Sequence, residues 1–114
     1  MKDCLFCKIV NREIDSDIVY ENEHVLVFKD INPVAPVHLL IIPKKHVSSI
    51  MEIDKLKGSE INEIMEIIKN IARDMGLDKK GFRVVTNMGS GAGQSVDHFH
   101  FHILGQRKFT WPPG

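Results

Sequence analysis

Asp97-His98-Phe99-His100-Phe101-His102-Ile103-Leu104 is the stretch that decides the reading of this chain. Histidines alternate with large apolar residues along it. A period of two is strand geometry, so His98, His100 and His102 share one face. Phe99, Phe101 and Ile103 share the other, which suits a core. Each imidazole is a candidate nucleophile, proton carrier or metal ligand. Just upstream, Gly89-Ser90-Gly91-Ala92-Gly93-Gln94-Ser95 lets the backbone come close to a ligand. Successive N–H groups in such a loop form an anion nest. The glycine loop feeding a histidine row points to phosphate chemistry, with the middle imidazole attacking phosphorus. The Gly-Lys-Ser/Thr ending of a Walker loop is absent. The row alone also fits a metal site, because His-x-His on a strand offers two imidazoles to zinc.

Working outward, Leu5 to Arg12 reads as a short helix. Ile18–Glu21 and Val25–Phe28 read as strands joined by a hairpin turn at Glu21-Asn22-Glu23-His24. Asp30–Pro36 is a loop interrupted by two prolines. His38–Ile42 is an apolar strand ended by Pro43. A long helix spans about Asp54 to Met75. Its stripe is Ile61, Ile64, Met65, Ile68, Ile71, Ala72 and Met75, at steps of three and four. Gly76 suits the left-handed position after the helix, and Leu77 can pack back on the stripe. Phe82–Thr86 is a further strand, and Arg107–Gly114 an extended tail whose Trp111 needs something to bury it. The order α-β-β-β-α-β-β with short strand connections predicts an α+β fold. Its antiparallel sheet carries the main helix on one face.

The chain has 114 residues, which predicts one domain over 1–114. An apolar fraction of 43% is enough for a core. The formal net charge of zero argues against a general nucleic-acid or membrane-surface binder. No apolar run approaches a membrane helix, and Met1-Lys2-Asp3-Cys4 lacks the apolar stretch of a signal peptide. The expected location is the cytoplasm. In that reducing compartment, Cys4-x-x-Cys7 reads as a metal or redox pair rather than a disulfide. A thioredoxin-like reading needs a βαβ setting that the N-terminal position does not offer.

His98-Phe99-His100-Phe101-His102-Ile103-Leu104 is a complete match to the pattern His-φ-His-φ-His-φ-φ, where φ is apolar. Further matches run along the chain: Phe6-Cys7-Lys8-Ile9, Phe28-Lys29-Asp30-Ile31, Pro36-Val37-His38, Ile42-Pro43-Lys44-Lys45-His46, Asn87, Gly93-Gln94-Ser95 and Trp111-Pro112-Pro113-Gly114. On these residues the chain resembles the histidine triad (HIT) family. Its ending is closest to the Hint branch, the purine nucleoside phosphoramidases. The resemblance implies a five-stranded antiparallel sheet with one long helix and a short N-terminal helix. It further implies a homodimer with a continuous ten-stranded sheet. The implied activity is hydrolysis of adenosine or guanosine phosphoramidates, and of related conjugates such as aminoacyl-adenylates, through a nucleotidyl-histidine. The product is the 5′-monophosphate.

By position, the resemblance makes His100 the nucleophile. It places His102 and Ser95 at the phosphate, with Ser95 able to pass a proton to the leaving nitrogen. His38 supports the triad. Asp30 takes the ribose hydroxyls. Ile31, Asn87, Gly93 and Gln94 contact the nucleotide, and Phe6, Ile9, Ile14, Phe28 and Ile31 form a slot for the base. Some relatives hold structural zinc, and the matching set here is Cys4, Cys7, His46 and His98. That set leaves His100 free. Catalysis itself needs no cofactor. Two other activities fit the residues: a nucleotide- or zinc-binding interaction protein with vestigial activity, and a dinucleoside polyphosphate hydrolase. The departures from the family pattern are Asp97, where relatives usually carry an uncharged residue, and Lys29 beside the ribose acid.

Overall fold

A computed structural model describes residues 3–114; Met1 and Lys2, part of the N-terminal reading, lie outside the described residues. The elements are α1 (Leu5–Val10), β1 (Ile18–Glu21), β2 (Val25–Lys29), β3 (Val37–Pro43), α2 (Gly58–Asp74), α3 (Leu77–Lys80), β4 (Phe82–Val85) and β5 (Phe101–Gly105). They build one five-stranded sheet of order β1-β2-β3-β5-β4, with antiparallel neighbours throughout. This is the α+β architecture expected from the element order. The β1–β2 turn is set by Asn22, whose Oδ1 accepts from the N–H groups of His24 and Val25, each at 2.9 Å.

Both faces of the sheet centre are covered, so β2 and β3 read as apolar runs. Val25, Val27, Leu39, Ile41 and Ile103 pack against Ile64, Ile67, Ile68 and Ala72 of α2. Leu26, Phe28, Leu40 and Ile42 point the other way, against Phe6 and Ile9 of α1. Alternation on the strands thus sorts side chains between a large helix on one side and a short one on the other. Ile64 is almost fully buried. Ile64→Ala is expected to cost about 2–5 kcal/mol. A lower urea midpoint with an unchanged slope would be the measured result.

Several features differ from the sequence expectation. The long helix begins at Gly58, not near Asp54. Ser49 caps a separate 3-10 turn over Ile50–Lys55, with its side chain accepting from the Met51 N–H. Leu56 is then extended and buried beside Val47 and Phe99. On α2, Met65 and Met75 are over 40% exposed, whereas Ile67 joins the buried stripe. The contact face is therefore turned slightly from the one the spacing suggests. After α2, Gly76 takes φ 73° and Leu77 is buried in the core, as the spacing predicts, but the chain then adds the short α3.

A further difference concerns the histidine segment. Its ladder starts at Phe101, so only His102 of the three histidines sits in paired strand. The reason is the end of β3. Pro43 has no N–H to continue the ladder. Residues 98–100 instead run beside the chain that follows β3, where the Phe99 N–H donates to the Val47 carbonyl at 2.6 Å. Side-chain alternation survives. Phe99 packs with Val47 and Leu56, Ile103 packs under α2, and the histidines take the opposite face.

Candidate active site and metal centre

A cavity of about 230 Å³ lies between α1 and the sheet. Its floor is a row across neighbouring strands, because Phe28 pairs with Leu40 and Leu40 with His102. Directly paired residues share a face, so this row is a consequence of register. Leu5, Phe6 and Ile9 of α1 and Ile14, Ile31 and Val96 add apolar wall; Asp30, Ser95, His100 and His102 add polar groups. Phe6 meets His100 edge-on at 5.1 Å between ring centres.

Main-chain partners orient His100 and His38, and His38 in turn orients His102. Nδ1 of His100 lies 2.7 Å from the His98 carbonyl oxygen. A carbonyl only accepts, so Nδ1 carries a hydrogen, and in the neutral ring the lone pair lies on Nε2. His38 is set in the opposite sense. Its Nδ1 accepts from the Val34 N–H at 3.1 Å, so its Nε2 carries the hydrogen. That N–H donates to Nδ1 of His102 at 2.9 Å. His102 must then carry its own hydrogen on Nε2. The cavity wall thus carries one imidazole whose Nε2 is free of a main-chain partner and a second with an N–H to donate. His38 is buried, lines a neighbouring depression, and acts on the cleft through His102.

Burial pushes His102 down to about 4, with the neighbouring His100 and His38 adding to the shift. Burial also lowers His38, opposed by Asp30, whose carboxylate is 3.4 Å from Nε2. Both rings are therefore neutral near pH 7. Their ordinary value is 6.5, so on acidification the unfolded chain takes up protons before the native one does. Stability is expected to be full above about pH 6.5 and to fall as pH drops toward 4. Urea titrations across that window test the sign, and His102→Gln should flatten the slope.

The glycine loop is a closed turn. The N–H groups of Ala92 and Gly93 bond to the carbonyls of Gly89 and Ser90, and that of Gln94 to Gly89. Gly89 and Gly93 hold φ of 85° and 87°, which a side chain would resist. The Gln94 side chain takes the Gly89 N–H at 2.8 Å and donates to the carbonyls of Ser48 and Val96. Gln94 therefore ties the loop to the rest of the chain. Neither it nor Gly93 lines the cavity, and half-buried Asn87 lies outside the lining too. Ser95, next along, does line it. Asp97 is exposed, and Lys29 pairs with Asp17 at 3.5 Å.

Behind the cavity, Cys4, Cys7, His46 and His98 converge, with ligand atoms all within 4.8 Å of one another. Sulfur–nitrogen separations are 3.3 Å for Cys4–His98, 3.3 Å for Cys7–His46 and 3.5 Å for Cys7–His98. Tetrahedral zinc with ordinary bond lengths needs about 3.6 Å. His98 Nε2–H donates to the Pro43 carbonyl at 2.8 Å, which turns a bare Nδ1 toward both sulfurs. Burial pushes the Cys7 thiol up to about 11, and Cys4 adds to it. Burial likewise holds His98 down to about 4. Two sulfurs and two imidazoles, with His98 held neutral and a Cys7 thiol that ionises only against a cation, are a donor set suited to a soft divalent metal.

Two features named here were not legible in the pattern of residues. Asp15 and Ser16 line the cavity, and no motif in the sequence singles them out. The His38–His102 bond joins residues far apart in the chain, and only strand register brings them together.

Fold and site together define a small α+β protein with an alternating histidine row over an antiparallel sheet. The HIT domain family matches residues 11–109, and the chain belongs to that family. A protein of Synechocystis described as an uncharacterized HIT-like protein is 44% identical over 113 residues, covering 99% of this chain and 98% of that one. A crystal structure described as a HIT family hydrolase, from Legionella pneumophila, is 46% identical with a TM-score of 0.94, covering 98% of this chain and 100% of that one. A histidine triad protein from Clostridium difficile is 47% identical with a TM-score of 0.87, covering 96% of each.

Proposed function

We propose that this chain hydrolyses the P–N bond of purine nucleoside 5′-phosphoramidates and related nucleotide conjugates, releasing the 5′-monophosphate. One observation carries the reading: the Nδ1–H of His100 is held on the His98 carbonyl, so in the neutral ring the lone pair lies on Nε2, on the wall of the cleft. Such a nitrogen attacks the α-phosphorus, the P–N bond breaks and the amine leaves with a proton. Water then attacks the phosphorus of the nucleotidyl-histidine, and the P–N bond to Nε2 breaks. His102, donating from Nε2, offsets charge that develops on the phosphorus oxygens. Ser95 passes its proton to the leaving nitrogen and regains one from the attacking water. Asp30 accepts from the ribose hydroxyls. Its Oδ1 takes the Asn32 N–H at 2.7 Å, which steadies the carboxylate. The hydrolase naming of the solved relatives agrees with this chemistry.

Cys4, Cys7, His46 and His98 would hold zinc, which supplies a closed structural cross-link and no reaction step. Among the described residues the edge strand β4 pairs only with β5, and Val84 and Met65 are exposed near it. Such an edge suits pairing with a second copy into the ten-stranded homodimer sheet. No helix is long and apolar enough to cross a membrane among the described residues. The reading remains a cytoplasmic enzyme acting on nucleotide conjugates rather than nucleic acid.

The direct test is a quench of turnover with a slow adenosine phosphoramidate, followed by peptide mapping. A nucleotidyl adduct on His100 supports the reading. An adduct on another residue, or turnover without one on enzyme proven competent by burst kinetics, overturns it.

A further inference from the structure

The proposed chemistry leaves polar groups unused at the end of the cleft away from the histidines. In the strand order, β1 lies three spacings from β5, about 14 Å. Ile14, Asp15 and Ser16 feed β1 and line the cavity there. The surrounding wall, from Leu5, Phe6 and Ile9, is apolar. Asp15 is exposed, and among the described residues its carboxylate has no ion pair. The nearby Lys29 pairs with Asp17. The Ser16 hydroxyl oxygen is buried without a hydrogen-bond partner among the described residues. An unpartnered buried hydroxyl is unfavourable, and one staggered rotation about χ1 redirects it.

We propose that Asp15 and Ser16 read the base edge of the bound nucleotide and select guanine over adenine. The inference rests on the nucleotide reading of this cleft. Guanine presents two adjacent N–H donors, N1–H and the 2-amino group, beside the O6 acceptor. A carboxylate accepts both donors, and the charge strengthens the pair. A serine hydroxyl donates to O6. Adenine instead turns the N1 lone pair toward the carboxylate, which repels it. The apolar walls contact the ring faces of either purine equally, so discrimination falls to these two residues.

Calorimetric titration with GMP, IMP and AMP tests this on wild type, Asp15→Asn and Ser16→Ala. Wild type is expected to bind GMP about tenfold more tightly than AMP, with IMP between, since IMP keeps O6 and N1–H but lacks the 2-amino group. Asparagine offers one donor and one acceptor, which complements adenine. Asp15→Asn should therefore bring the GMP-to-AMP affinity ratio to about one or invert it. Ser16→Ala should weaken GMP and IMP about threefold. Equal affinities in the wild type, or a uniform loss across the three nucleotides in Asp15→Asn, overturn this inference and leave the proposed activity standing. Folded wild-type protein that binds none of the three overturns both.

Discussion

His100→Ala is expected to lower kcat for adenosine phosphoramidate hydrolysis by about 10³–10⁵-fold. AMP affinity should change by less than about tenfold, because the ring is one contact among many in an apolar cleft. The split follows from geometry. His100 has Nδ1 committed to the His98 carbonyl, and in the proposed mechanism its Nε2 acts in the chemical step. Another histidine cannot replace it. The Nδ1 atom of His102 already accepts from His38, and both nitrogens of His98 are engaged at the cysteine cluster and the Pro43 carbonyl. A rate equal to wild type would remove His100 from the mechanism. His102→Ala should cost about 10²–10³-fold, the size seen when one charge-stabilising donor is lost.

The second large effect is on the metal. Wild type purified without chelators is expected to carry one zinc per chain, and Cys7→Ser close to none. For a saturated tight site the linked stabilisation is about 3–4 kcal/mol. In a domain of this size that corresponds to roughly 10–15 °C in Tm. The four ligands come from α1 and the residue before it, from the chain just past β3, and from the start of the histidine segment. Their loss frees α1, which supplies Leu5, Phe6 and Ile9 to the cleft. KM should therefore rise in Cys7→Ser more than kcat falls. Metal-free wild type, or a Tm that ignores both chelator and substitution, defeats the zinc assignment.

Most of the fold was legible in the sequence because local chemistry and tertiary demand agree. Apolar runs bounded by turn residues mark β2 and β3, period-two alternation marks the histidine segment, the three-four stripe marks α2, and Gly76 marks its end. The kink ahead of α2 was hidden. Ser49 and the extended, buried Leu56 act through tertiary packing, not through propensity. The histidine segment looked like continuous strand since side-chain parity is the same in an unpaired extended stretch. Only Pro43, at the end of a partner strand distant in sequence, stops the ladder. The candidate site was legible as a list of residue types. What the list could not supply is the state of each ring, since the partners that set it are mostly backbone atoms.

Peptide groups do not titrate or mutate. With the imidazole orientations anchored on the main chain at Val34, Pro43 and His98, side-chain drift elsewhere can retune what the cleft admits without changing which atom reacts. Diversification of substrate range on this scaffold should accumulate around the far wall, while the reactive rings stay pinned by their surroundings.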